Sequence, residues 1–155
     1  MARLDCGVYF EDVALSVNAW KTIASLKAPA NQMLALKRAK VCGEGIAGDA
    51  APIGVRLARI TADSGTGTAV TPRKLNNALT ATPQGAARIN FTDAPTVAPA
   101  AEHLLAGKFH PQGGQVDELV LGEVLLKEGT EIALQCFVPA GGSAINVSGH
   151  LNYEE

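Results

Sequence analysis

The stretch Glu131-Ile132-Ala133-Leu134-Gln135-Cys136-Phe137-Val138 alternates with a period of two, and residues 144–153 do the same after a short break. In the first segment the apolar set is Ile132, Leu134, Cys136 and Val138. In the second it is Ile145, Val147, Leu151 and Tyr153, set against Asn146, Ser148, His150 and Asn152. Successive side chains on a strand point to opposite faces, so this pattern buries one face and wets the other. The connection Pro139-Ala140-Gly141-Gly142-Ser143 is a turn-forming cluster that suits an antiparallel hairpin. Upstream, residues 119–126 form another apolar run, and Lys127-Glu128-Gly129-Thr130 reads as the turn leading out of it. Three consecutive strands joined by short turns make this an all-β chain.

Working back to the start, Val8-Tyr9-Phe10 is β-prone, Glu11-Asp12 reads as a turn, and residues 13–17 read as a second short strand. An arm over residues 1–18 lying on a neighbour is the alternative. Residues 20–26 place Trp20, Thr22, Ala24 and Leu26 against Lys21, Ile23, Ser25 and Lys27, which predicts an edge strand ended by Pro29 and Asn31. Residues 33–41 read as a strand with Leu34 and Leu36 inward and Lys37, Arg38 and Lys40 along the rim. A helix competes there, because Met, Leu, Ala, Lys and Arg all favour helix. Residues 53–60 are a clearer strand, with Ile53, Val55 and Leu57 on one face and Arg56 on the other.

From 61 to 99 the character changes to a long Gly/Pro-punctuated region, in which only residues 87–92, around Ile89 and Phe91, resemble a strand. Such a long loop region is unusual inside a compact domain and points to an interaction role or to disorder. Strand character resumes at 103–110, with Leu105 and Phe109 on one face. The expectation is one β-sandwich domain over 1–155, an antiparallel sandwich or jelly roll of about eight to ten short strands, with a closed barrel as runner-up.

The formal net charge of −2 over 155 residues leaves no basic footprint, so nucleic acid is not an expected partner. Charged residues are 18% of the chain, below the ~25% of typical domains, which fits an exterior partly covered by other subunits or simply an Ala-rich composition. The three cysteines have no metal-ligand spacing, and their odd number argues against a secreted disulfide scaffold and for a reducing cytosol. No signal-peptide pattern and no apolar run of membrane-spanning length is present, so a soluble protein with no membrane partner is expected.

Gly43-Glu44-Gly45-Ile46-Ala47-Gly48 matches G-x-G-x-x-G, with Asp63 about twenty residues on. The dinucleotide mechanism needs a helix opening at the third glycine, and Asp49-Ala50-Ala51-Pro52 followed by a β-patterned run leaves no room for one. A glycine-rich inter-strand loop is the preferred reading. His103, His110 and His150 lack ligand spacing and read as solvated or interface histidines. Asp49, Asp63, Asp93 and the hydroxyls of residues 64–71 offer material for hydrolysis, but they sit among turn formers. The sequons at Asn90 and Asn146 carry no meaning without a secretory signal, and Glu154-Glu155 is most simply a solvated end. Lys37, Arg38, Lys40, Arg56 and Arg59 fall on two runs read as adjacent strands, with a solvated face as the default and pairing to a partner's acids as the alternative. No catalytic, cofactor-binding or metal residue is assigned.

Several landmarks resemble a family of small phage-encoded virion proteins, the jelly-roll capsid decoration or cement proteins. They are Gly48-Asp49-Ala50-Ala51, Gly67-Thr68-Ala69-Val70-Thr71-Pro72-Arg73-Lys74-Leu75, Phe109-His110-Pro111-Gln112-Gly113-Gly114 and the closing Asn146-Val147-Ser148-Gly149-His150-Leu151-Asn152-Tyr153-Glu154-Glu155. The likeness runs over about residues 33–155. It implies a non-enzymatic protein on the capsid exterior, made in the bacterial host cytoplasm, that bridges neighbouring capsomers. The partners implied are the major capsid protein and further copies of the chain in a dimer or trimer. The rival is a phage tail, receptor-binding or carbohydrate-binding sandwich. Those usually display aromatic platforms, and here Trp20, Tyr9 and Tyr153 are the only candidates of their kind. An enzyme would rest on the glycine loop alone.

Overall fold

The computed structural model describes residues 3–43, 51–76, 80–111 and 117–155. Most of the Gly43–Gly48 motif, with Asp49 and Gln112-Gly113-Gly114, lies outside the described residues. The strands run β1 Asp5–Leu15, β2 Trp20–Lys27, β3 Leu34–Gly43, β4 Ile53–Ala62, β5 Thr66–Val70, β6 Arg73–Lys74, β7 Ala86–Asp93, β8 Thr96–Val97, β9 Leu105–Phe109, β10 Asp117–Leu126, β11 Glu131–Phe137 and β12 Ile145–Glu154. A 3-10 turn, Ala100–Glu102, precedes β9.

Two antiparallel sheets pack face to face. The first has the order β10-β3-β12-β1-β6, and the second β5-β7-β2-β11-β4, with β8 and β9 side by side along the far edge of β4. The pairing is nested: β1 lies against β12, β2 against β11, β3 against β10 and β4 against β9. That is one long hairpin wound across two sheets, the jelly-roll arrangement. An open pair of sheets, not a closed barrel, is therefore the architecture.

The inner faces explain the winding. Val8, Phe10, Leu36, Val41, Val147 and Leu151 from one sheet meet Ile23, Leu26, Val55, Leu57, Ile132 and Leu134 from the other, each no more than 1% exposed. Each such burial contributes roughly 1.5–3 kcal/mol. All eight apolar residues that define the pattern of β11 and β12 are buried, and β12 alternates as expected, but in β11 the intervening Glu131, Ala133 and Gln135 are buried as well. Residues 34–43 form a strand and no helix, because Leu34, Leu36, Ala39 and Val41 must all reach the core between β10 and β12.

Three expectations change. Residues 1–18 are no free arm: β1 sits inside its sheet between β12 and β6, burying Cys6, Val8, Phe10, Val13 and Leu15. The expected turn at Glu11-Asp12 is a bulge. Asp12 adopts φ 51°, its N–H is accepted by Ser148 Oγ at 3.0 Å, and the inward set moves from even to odd numbers. Second, β2 is interior, because β7 pairs along its other side. Third, the region 61–99 carries β5, β6, β7 and β8 rather than one strand. It leaves the roll after β4, adds β5 and β7 to one sheet and β6 to the other, then returns beside β4.

Candidate functional site: a groove on an outer sheet face

The outer face of the β11-centred sheet ends in a groove of about 830 Å³. Its floor is a row of residues drawn from four strands. Trp20 on β2 pairs with Phe137 on β11, Phe137 with Gly54 on β4, and Gly54 with Lys108 on β9. The neighbouring row is Thr22, Gln135, Arg56 and Ala106. Pro52, Pro139 and His103 wall the groove.

A bulge puts Trp20 there. Ala24 lies opposite Leu134 while Thr22 lies opposite Gln135, so Ile23 is the extra residue on β2. Ala24 and Leu26 face the core after the bulge, whereas Trp20 and Thr22 face outward before it. The strict alternation expected for residues 20–26 is broken at that point. Trp20 remains 36% exposed.

The groove is held by polar and aromatic contacts that run along the rows. Arg56 Nε donates to Gln135 Oε1 at 2.7 Å, and Gln135 Nε2 donates to Thr22 Oγ1 at 2.8 Å. Gln135 is 1% exposed and Thr22 fully buried, so this chain satisfies groups that would otherwise be stranded. The Arg56 guanidinium lies over the Trp20 ring at 4.0 Å, and the Trp20 and Phe137 rings stand 5.3 Å apart. A Cβ at position 54 would come within 3.3 Å of Trp20 Cη2, so the glycine makes room for the indole. Burial pushes the Arg56 guanidinium below its ordinary pKa, since the charged form is partly desolvated. It remains a cation at any physiological pH.

Among the described residues no carboxylate is paired with Arg56, His103 or Lys108, and no acidic side chain lines the groove. The Nε2 of His103 is shielded from water without a hydrogen-bond partner. Elsewhere some basic residues are paired within the chain. At the far end of the same face Arg88 Nη2 contacts Glu131 at 2.8 Å and Asp63 at 2.7 Å, while the Ser25 hydroxyl donates to Glu131 at 2.6 Å. On the other sheet Lys37 contacts Glu154 at 2.8 Å. Glu154 is thus buried and paired, not a solvated end.

The residues singled out from sequence are scattered. Arg38 and Lys40 on β3 and Arg56 and Arg59 on β4 lie in different sheets, because the jelly-roll winding sends these consecutive strands to opposite layers. His103 lines the groove, whereas His150 stands against Tyr9 on the other sheet, ring centroids 5.7 Å apart. Among the described residues no three His, Cys, Asp or Glu side chains gather as a metal site. The three thiols are free, with Cys6 and Cys136 buried. Comparison with known protein families, with curated proteins and with solved structures gave no significant match.

Proposed function

We propose that this chain is a bacteriophage virion structural protein, a capsid decoration protein that binds the outer surface of the capsid lattice and bridges neighbouring capsomers. The observation that supports it beyond the sequence resemblance is the outward cluster of Trp20, Arg56 and Phe137 on a rigid sheet. Trp and Arg in a shaped, partly desolvated pocket are the residues that carry binding energy between proteins. A decoration protein stabilises the assembled shell by mass action, because it binds the lattice and not the free subunit. Its own dimer or trimer would match the local symmetry of the lattice.

The test is co-sedimentation of the purified protein with empty, expanded capsids that lack it. Saturable binding at a ratio set by lattice symmetry supports the reading, and a folded protein left in the supernatant overturns it. The exposure of Trp20 favours one second reading, a tail or receptor-recognition module. Binding to host cells or their surface glycans without capsid binding would establish that instead.

A further inference from the structure

We infer that the groove floored by Trp20, Phe137 and Gly54 is a carboxylate-reading site that takes an acidic peptide segment of a protein partner. The inference rests on the decoration reading and deepens it, by naming the surface that grips and the chemistry of what is gripped.

Charge complementarity identifies the occupant. Among the described residues Arg56, His103 and Lys108 all line the groove, no acid does, and none of the three has an ion-pair partner. This contrasts with Arg88 and Lys37, whose charges are met within the chain. Arg56 is also held in place. Its Nε is committed to Gln135 and its plane rests on the indole, which leaves the terminal nitrogens as a fixed fork. A fork of that kind matches a carboxylate in bidentate fashion. The orphaned Nε2 of His103 supplies a further polar contact at the wall.

The apolar half of the groove selects a peptide over a sugar. Phe137, Pro52 and Pro139 offer surface to an aliphatic or aromatic side chain next to the acid. A pyranose would stack on a flat face of the indole, and the Arg56 guanidinium already covers one of the two. The partner segment therefore carries Asp or Glu beside an apolar residue.

The chain has one tryptophan, so its fluorescence reports on this groove alone. Titration with acetyl-Glu-Leu-Glu-amide should give a saturable change in Trp20 emission, at least about tenfold stronger in affinity than with acetyl-Gln-Leu-Gln-amide. Arg56→Gln should abolish that preference, and Lys108→Gln, at an exposed position that cannot upset folding, should weaken the acidic peptide several-fold. Equal response to the two peptides, no response, or a response to trigalacturonate only would overturn the inference. Capsid co-sedimentation with the same preparations separates the two readings. Capsid binding untouched by Arg56→Gln and Lys108→Gln removes the groove's role and keeps the decoration reading. Selective peptide binding without capsid binding does the reverse.

Discussion

The guanidinium carbon of Arg56 lies 4.0 Å from the centroid of the Trp20 ring, although thirty-six positions separate the two residues in the chain. The contact exists because β2 and β4 both flank β11, and Gln135 on β11 ties the Arg56 side chain toward Thr22. Removing the tie should be costly. Gln135→Ala strands the Arg56 Nε and the Thr22 hydroxyl and is expected to destabilise by about 1–3 kcal/mol in urea unfolding. Arg56→Leu combined with Gln135→Leu should cost less than the sum of the two single changes, because the polar groups leave together.

Deleting residues 1–18 should unfold the protein. β1 pairs with β12 along nine registered positions and supplies five buried residues to the core. Loss of the cooperative thermal transition in the truncated chain is the expected result. A truncated chain that melts as wild type would contradict the placement of β1.

The Arg88–Glu131 pair gives a prediction about the opposite end of the groove-bearing face. Glu131 is 7% exposed and Arg88 is 22% exposed at the side chain, so the pair is only partly screened. Arg88→Met leaves the carboxylate with the Ser25 hydroxyl alone and should cost about 1–3 kcal/mol, discounted from the fully buried case for the access of water. Adding Glu131→Gln to Arg88→Met should restore part of that loss, as measured by urea midpoint.

Stability should fall at alkaline pH. Burial raises the Cys136 thiol far above its ordinary 9.0, and burial with neighbouring negative charge raises the Tyr153 hydroxyl far above 10.0. Above those ordinary values the unfolded chain releases protons that the folded chain keeps. The folded state then binds more protons, and unfolding free energy declines as pH rises, by up to about 1.4 kcal/mol per pH unit for each group. Urea unfolding between about pH 8 and about pH 10.5 should show the decline, and Cys136→Ala with Tyr153→Phe should flatten it.

The C-terminal strands were legible because nothing interrupts their period. Ile132, Leu134, Cys136 and Val138 keep one parity from end to end, so the buried face can be read directly. At Ile23 and at Asp12 a single extra residue reverses the parity, and pattern alone places Trp20 with Leu26 when the bulge sends them to opposite faces. The strands β5, β6 and β8 are five residues or fewer and lean on longer partners, so they carry no periodic signal of their own. The groove was hidden for a different reason. Its residues come from positions 20, 54, 56, 108 and 137, each at or near a strand end, and only the nested pairing of the jelly roll brings them together. The run of short strands with Gly/Pro turns led to a sandwich or jelly roll, and the strand order bears that fold out.

The most direct measurement is side-by-side co-sedimentation of wild type and Trp20→Ala with capsids that lack the protein. Trp20 is partly exposed and packs outside the core, so the variant should melt within a few degrees of wild type. The account predicts saturable pelleting of wild type and at least a tenfold loss of affinity for Trp20→Ala, the effect of removing a central aromatic from a docking surface. Equal pelleting of the two would show that the groove does not dock the capsid. Wild type left wholly in the supernatant would contradict the decoration reading itself.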